Sequence, residues 1–544
     1  MKKGARCDRF EIAKPQTPQQ RPPMSAAYTT SDLNAPSDVF ATARQHFDAI
    51  INSLECDPTT YALDSDDLEE HIYREGRELM RKLLQAHYDM RAPARPVFDV
   101  VDEEGIGRTF SRANTGRNNN SRFGTVRISR VAFCCAQAAQ LCPLDADLNL
   151  APTKLSRQML KLVCEHAREV SFETTQEQIC ALTGLNIGNR QLEEAVVYVT
   201  QDFDAFYEQR QAQTSEDASN HLILTTDAKG VSMIERDLRE QTREKAQNAR
   251  VTSKEKRHLG PGEKRDRKRM ATVASVYEHV PNPRTASQIM SKEKVRTRRE
   301  TIEHKRVWAD LEKSSREVID LAFEEALRRD PQGQRQWAML VDGDTRQMKA
   351  VLDKIEEVAS QGISVLVVVD LIHVAEYLWV SANALFGATS TEREGWVSEQ
   401  LLRLLQGEAK RVVHGMRVSA GKRKLSKSQR EAVEKSARYI EARYDYLRYD
   451  EAIEEGLPIA TGVIEGACRH LVNDRLGITG AKWSLETAQA ILRLRALKVS
   501  GDWETYWQWH KQRRHEREHA SKYADETPPE LIYPTLRNHL ELVR

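Results

Sequence analysis

Three apolar runs in this chain each close on an aspartate. Leu222-Ile-Leu-Thr-Thr ends at Asp227, Trp337-Ala-Met-Leu-Val at Asp342, and Ile363 to Val369 at Asp370. Short apolar runs rich in β-branched residues and bounded by polar breaks read as strands. The run Val365-Leu-Val-Val-Val369 has no polar position at all, which suits a strand covered on both faces by helices. The chain must therefore build a helix-flanked sheet whose strand ends present carboxylates.

The order of elements narrows the topology. Leu222–Thr226 and Val231–Ile234 are expected to flank a turn at Lys229-Gly230, followed by a strand over Ala271–Tyr277. A long charged helix is expected over 285–329, ending before Pro331. Then come strand 337–341, helix 345–359, strand 363–369 and a helix over 371–385. Three strands in succession, then helix, strand, helix and strand, is the order of a ribonuclease-H-like α/β core. Residues 216–390 form its first part, with a basic insert at 240–270. Helical periods at Val397, Leu401, Leu404 and Leu405, and again at Val433, Ala437, Ile440 and Tyr444, predict an all-helical insertion over 391–455 around a basic loop, Arg417–Lys427. The core then resumes over 456–500, and residues 501–544 form a basic, aromatic tail.

Upstream of the core the texture is mainly helical. Residues 1–35 are rich in Pro, Gln, Ser and Thr without periodicity, the composition of a disordered lead. Residues 36–95 show helical spacing at Phe40, Ala43, Phe47, Ile50 and Leu54, then at Ile72, Leu79, Met80 and Leu83. Residues 96–150 form a small β element and linker, with the Gly/Asn-rich stretch Asn114–Gly124 expected to break the chain. Ser156 is an expected N-cap. Within 151–215, a helix, a break at Thr183-Gly184 and a second helix from Asn189 have the layout of a helix-turn-helix DNA-binding region. Asn189, Arg190 and Gln191 would open its recognition helix; a plain helical domain would have the same layout.

Charge does not identify a partner by itself, because 82 Lys/Arg nearly cancel 81 Asp/Glu in 544 residues. Clustering does more. Arg243 to Arg269 holds 11 Lys/Arg against 4 Asp/Glu, and its core of Lys264, Arg265, Arg267, Lys268 and Arg269 has the one-signed character of a phosphate-binding segment. Of the eight cysteines, Cys134, Cys135 and Cys142 lack the second knuckle a zinc ribbon needs, and reduced thiols are expected. No apolar run approaches the ~20 residues of a membrane span, and the amino-terminal stretch has no apolar signal core. A cytoplasmic protein, bound to the nucleoid through DNA and with no membrane partner, is the expectation.

The segment Gly462-Val-Ile-Glu465-Gly-Ala-Cys-Arg469-His470 adds a glutamate to the apolar start of a helix, where a buried carboxylate needs a cation or a base. Two strand-end aspartates and a helix glutamate are the oxygen ligands of a two-metal phosphoryl-transfer site, in which two Mg²⁺ ions sit ~4 Å apart. Asp227 ends the central strand. Asp342 is the first choice for the second ligand and Asp370 the next. Asp344 is better placed to cap the helix from Thr345. Asp370-Leu-Ile-His373 sets His373 one turn beyond a strand-end carboxylate, an auxiliary position. Arg469 is open to two roles, an ion pair or a phosphate clamp. Lys482 and Trp483 add a charge and a ring for DNA, though a tryptophan is more often core.

With these residues in place, the chain resembles the ISKra-type insertion-sequence DDE transposases, a group related to the Mutator-like transposases. The likeness covers roughly 120–515. It runs through Gly124-Thr-Val-Arg-Ile-Ser-Arg, Pro143-Leu-Asp-Ala-Asp-Leu-Asn-Leu, Gln201-Asp-Phe-Asp-Ala-Phe-Tyr, Asp227-Ala-Lys-Gly-Val and Val341-Asp-Gly-Asp. It continues through Val369-Asp-Leu-Ile-His-Val-Ala-Glu-Tyr-Leu-Trp and the glutamate segment to Gly501-Asp-Trp-Glu-Thr-Tyr-Trp. The resemblance implies a triad of Asp227, Asp342 and Glu465 using Mg²⁺, with Mn²⁺ as a substitute. It also implies cleavage at element ends and transfer of the freed 3′-hydroxyl into target DNA by a homo-oligomer on terminal inverted repeats. The related group's Cys/Asp-x-x-His motif falls on Asp370 and His373, which favours Asp342 in the triad. Ala228 departs from the glycine expected there. A catalytically silent, DNA-binding descendant of a transposase is the alternative.

Overall fold

The computed structural model describes residues 38–136, 138–252, 268–291, 301–478 and 480–533. The expected lead at 1–35 lies outside them, as do Lys264, Arg265 and Arg267. Among the described residues, no helix is long and apolar enough to cross a membrane.

The chain enters through α1 (Ala41–Cys56) and α2 (Ser65–Arg91), which pack on one another. A three-stranded antiparallel sheet follows: β1 (Phe110–Ser121), β2 (Gly124–Cys135) and β3 (Ala138–Leu141). Here the expected break over Asn114–Gly124 does not occur. The stretch is mostly strand β1, which absorbs a register shift where Asn114 takes a left-handed φ of 58° and turns back only after Ser121. Gln85 of α2 holds β2 in place, donating to the Arg127 carbonyl (2.7 Å) and accepting from its N–H (2.8 Å).

Helices α3 (Arg157–Ala167), α4 (Phe172–Thr183), α5 (Asn189–Thr200) and α6 (Phe203–Gln209) come next. The hydroxyls of Ser156 and Ser171 cap α3 and α4. Gly184 ends α4 at φ 69°, a conformation that glycine adopts without a Cβ penalty.

The main core is built on a mixed five-stranded sheet. Its strands are β4 (His221–Ser232), β5 (Lys268–His279), β6 (Ile302–Asp310), β7 (Trp337–Val341) and β8 (Val365–Val369), in the spatial order β6-β5-β4-β7-β8. The first three are antiparallel neighbours, and β4, β7 and β8 run parallel. Three expectations are corrected. Lys229-Gly230 is not a turn and Asp227 does not end its strand: β4 runs straight through both because Val273, Ala271 and Met270 pair alongside. The span 285–329 is not one helix. It holds a short helix (Ala286–Met290), the strand β6, and α7 (Ser315–Arg329). Strand β6 buries Val307, Trp308 and Ala309, and its charged Arg306 is neutralised by Glu325 (2.5 Å) and lies over the Tyr207 ring at 3.8 Å. The third strand of the expected succession is therefore β6, not the second arm of a hairpin.

Helix α8 (Thr345–Ala359) connects β7 to β8, and α9 (Leu371–Phe386) leads away from it. The helical insertion consists of α10 (Glu392–Leu405), α11 (Ala409–Lys422), α12 (Lys427–Glu441) and the short α13 (Tyr449–Glu454). The expected basic loop at Arg417–Lys427 shrinks to residues 423–426, because α11 continues through Lys422 and Arg417 pairs with Glu434 and Glu441. After the glutamate segment, α14 (Leu485–Val499) packs on β6 and α5. The expected tail instead contains α15 (Trp503–Glu518). Its Trp503, Tyr506 and Trp507 are buried, and the Tyr506 hydroxyl donates to the Val199 carbonyl of α5.

Candidate active site

The parallel pairing of β4 with β7 sets the first two carboxylates side by side. Thr225 pairs with Leu340, and two residues further along each strand stand Asp227 and Asp342. Both are half-buried. Asp342 carries the electrostatic consequence: burial pushes its carboxyl above the ordinary range, and the Asp227 charge pushes it further. The Asp344 N–H and the nearby His373 pull it back.

The backbone around Asp342 is clamped by the helical insertion. Asp342 accepts the Asp344 N–H (2.8 Å), and Asp344 caps α8 through the N–H groups of Arg346 and Gln347. Between them Gly343 has φ 82°. A Cβ there would meet Arg443 Nε and the Tyr439 hydroxyl at 2.7 Å, so only glycine fits. Tyr439 of α12 donates to the Asp342 carbonyl (2.8 Å), and Arg443 Nε donates to the Gly343 carbonyl (3.0 Å). Tyr439 is itself sandwiched between Tyr377 (3.7 Å) and the Arg443 guanidinium (3.8 Å). Gln347 Nε2 ties α8 to Thr226, the residue before Asp227 (2.6 Å).

Glu465 rides on a helix with an unusual winding. It starts as α over Gly462–Ala467, widens to a π turn over Cys468–Asn473, and closes as α over Asp474–Leu476. Such π turns recur at functional sites. Contrary to the expectation of a buried carboxylate, Glu465 is exposed, because Ile464, Ala467 and Cys468 take the inward face. The helix is hooked to the first aspartate by Cys468, whose buried thiol donates to Asp227 Oδ2 (3.1 Å). Burial and the charges of Asp227 and Glu465 all push that thiol pKa up, so Glu465 and Asp227 act on the same sulfur.

Asp370 is buried and fully engaged. It caps α9 through the Ile372 N–H (2.7 Å) and accepts the hydroxyl of Thr461, the residue just before the Glu465 helix. It therefore positions that helix, and His373 one turn along lies near Asp342. Among the described residues, Asp227, Asp342 and Glu465 have no Lys or Arg within 4.0 Å. Three carboxylates without a protein cation, all oxygen donors, form a donor set that fits hard divalent ions. One oxygen from each does not fall within a common 4.8 Å span, so the three do not form a single-ion pocket. The group that does is Glu278, Glu303 and His304, near the start of β4, but Glu278 already accepts the Ser215 N–H and pairs with Arg335.

The other predicted contact residues divide. Asn189, Arg190 and Gln191 are exposed at the start of α5, with Arg190 paired to Glu194. Lys268 and Lys482 are exposed. Arg269 is spent on the carbonyls of Leu311 (2.7 Å) and Asp237 (3.1 Å), so its place in a DNA-binding run is corrected to a structural one. Trp483 is a core residue, 6% exposed, between Phe172 and the Arg475 guanidinium, and is closed to a base. Arg469 is exposed and lies 3.7 Å from Asp474. Sequence reasoning missed Cys468, Thr461, Tyr439 and Arg443. The first two flank Glu465 within the same segment, a signal that was available; the last two lie on the insertion and carried none.

No protein-family model matches the chain, and no curated protein matches it. Among solved structures, the Drosophila P element transposase strand transfer complex aligns with 74% of this chain and 86% of its own. The identity is 10% and the TM-score 0.22, too loose a likeness to carry any argument.

Proposed function

We propose that the chain is a DDE transposase of the ISKra type, built on a ribonuclease-H-like core, with Asp227, Asp342 and Glu465 as its metal-holding triad. One observation carries the reading: Asp227, inside β4, and Asp342, just past the end of the neighbouring parallel strand β7, stand side by side, and the glutamate's helix is hooked to Asp227 through Cys468. The strand order, with three antiparallel strands followed by two parallel ones joined through helices, supports the ribonuclease-H-like assignment.

In this reading the three carboxylates hold two Mg²⁺ ions, for which Mn²⁺ substitutes. Bound magnesium supplies activation of the attacking oxygen and neutralises charge at the phosphate. The protein's own share is positional. Tyr439 and Arg443 fix the Asp342 turn, Asp370 and Thr461 fix the start of the Glu465 helix, and Cys468 holds a proton against Asp227 Oδ2. The substrate is double-stranded DNA carrying the element's terminal inverted repeats, with target DNA as acceptor for the 3′-hydroxyl and a homo-oligomer as the working form.

The test is cleavage and joining of end-bearing DNA by the purified full chain in Mg²⁺ or Mn²⁺. Cleavage and joined product are expected, both lost in Asp227→Asn and Glu465→Gln with DNA binding retained. Unchanged cleavage by either variant would sink the triad. Binding without cleavage by the wild type would instead identify a silent DNA-binding descendant, and cleavage that never yields joined product would identify a nuclease.

A further inference from the structure

Between Glu104 and Asp145 the chain carries six arginines and no Asp or Glu. Most of that stretch folds as the hairpin of β1 and β2, whose two faces differ. Side chains alternate across a strand, so Val126 and Ile128 are buried while Thr125 and Arg127 are exposed. Three of the six arginines are engaged. Arg108 pairs with Asp102, Arg130 with Asp145, and Arg117 donates to the Ala151 and Thr153 carbonyls (2.8 and 2.6 Å). The other three, Arg112, Arg122 and Arg127, are exposed, and among the described residues none has a carboxylate within 4.0 Å. Arg127 stands opposite Asn118 in the ladder, and its guanidinium crosses β1 over Gly116, where a Cβ would come within 2.6 Å of Nε. Exposed Lys154, also without a carboxylate partner among the described residues, lines the same groove of about 530 Å³. Among the described residues no Asp or Glu lines that groove.

We propose that this outer face of the β1–β2 hairpin docks double-stranded DNA, with Arg127 and Lys154 on phosphates and Asn118 as a neutral donor beside them. The inference rests on DNA being the partner proposed above, but not on the carboxylates or on metal. Cations of one sign, unpaired and exposed, attract a polyanion and release its counterions on contact. Arg112 and Arg122 extend the same positive field along the hairpin. A ribbon of two paired strands is what the B-form major groove, ~12 Å wide, admits. The deep, narrow major groove of A-form RNA does not admit it. The opposite face of the hairpin is already committed to the interior, so the exposed face is the one left for a partner.

The experiment is fluorescence anisotropy of the full chain with a random-sequence DNA duplex of about 30 base pairs, in chelator, across about 50–200 mM salt. Arg127→Ala and Lys154→Ala are each expected to lower the slope of log affinity against log salt by about 0.9, the signature of one lost phosphate contact, and the double variant by about twice that. Both side chains are exposed, so their loss leaves the core intact. Arg127→Lys is expected to keep the wild-type slope, as is Lys410→Ala, which removes an exposed cation of α11. Asp227→Asn is expected to keep it too, so loss of cleavage and loss of docking are read separately. Wild-type slopes in both alanine variants would overturn the docking face alone, and so would an equal fall in Lys410→Ala. Tighter binding of an RNA duplex of the same length would replace DNA with RNA as the partner and overturn the proposal. A wild-type chain that does not bind the duplex would overturn both this proposal and the DNA reading on which it rests.

Discussion

Removing the clamp on the Asp342 turn tests whether the helical insertion sets the geometry of the carboxylates proposed to hold metal. Tyr439→Phe deletes a single hydrogen bond, the hydroxyl to the Asp342 carbonyl at 2.8 Å. The group is half-buried, and such a bond contributes about 1 kcal/mol net. Arg443→Met deletes the charged donors to the Gly343 carbonyl and the guanidinium over the Tyr439 ring at 3.8 Å. A charge-assisted bond contributes about 1.5–3 kcal/mol, and the stacked cation about 0.5–1 kcal/mol at a partly exposed site. If that energy keeps the turn in its one competent conformation, losing about 2 kcal/mol lowers the competent fraction and raises the apparent Kd by up to about 30-fold. The corresponding bound for Tyr439→Phe is about fivefold. Because Arg443 lies over Tyr439, the double variant is expected to lose less than the two single losses combined. The assay is calorimetric titration of Mn²⁺ into the full chain, with circular dichroism to establish that both variants are folded. Folded variants that bind Mn²⁺ with wild-type affinity would refute the argument that the insertion governs Asp342.

Three further outcomes follow from contacts already described. Among the described residues, His221 Nδ1 and both ring nitrogens of His279 are buried without a hydrogen-bond partner, and burial holds both imidazoles down at about 4. Their folded pKa lies below the unfolded value, so between about 6.5 and 4 the unfolded chain binds more protons and stability falls as the pH is lowered through that window; thermal melts should show a flatter acid slope for His279→Phe. Asp342→Asn removes a carboxylate disfavoured by burial and by Asp227, so its melting temperature in chelator at pH 7 is expected to rise while strand cleavage is lost; a lower melting temperature would contradict that account. Thr461→Val cuts the link between Asp370 and the Glu465 helix, and is expected to slow cleavage at least tenfold with DNA binding unchanged, as read by single-turnover rates.

Much of the site was legible because strand-end carboxylates follow unambiguous apolar runs. Asp342 and Asp370 directly follow the last residues of β7 and β8, and α8 was readable to its last residue from Asp344 as cap, whereas Asp227, expected to end its strand, lies inside β4 because pairing with β5 continues to Ser232. What failed did so for identifiable reasons. Strand β6 opens Ile302-Glu-His-Lys-Arg, so its charges hid the buried Val307-Trp308-Ala309, and Arg306 is accommodated there by Glu325 of α7 and the Tyr207 ring. Lys229-Gly230 has turn chemistry, but pairing with Met270 and Ala271 overrides it. Glu465 was expected to be buried because its neighbours are apolar, yet the helix rotates those neighbours inward and leaves the carboxylate free to face a ligand. Tyr439 and Arg443 reach the Asp342 turn across about a hundred residues of chain, a contact no local pattern announces.

The closing position of α15 has a consequence for synthesis. Asp202, at the start of α6, is satisfied by His510 and Arg514, and His510 lies 308 residues downstream. At about 5–20 residues per second, roughly 15–60 s separate the emergence of these partners from the ribosome. Until α15 arrives, the surface beneath Trp503, Tyr506 and Trp507 stays uncovered and a buried aspartate lacks its counter-charges. The helices α3 to α6 thus reach their final packing only after α15 has been synthesised. A polypeptide that stopped before α15 would lack that packing even with Asp227, Asp342 and Glu465 all present.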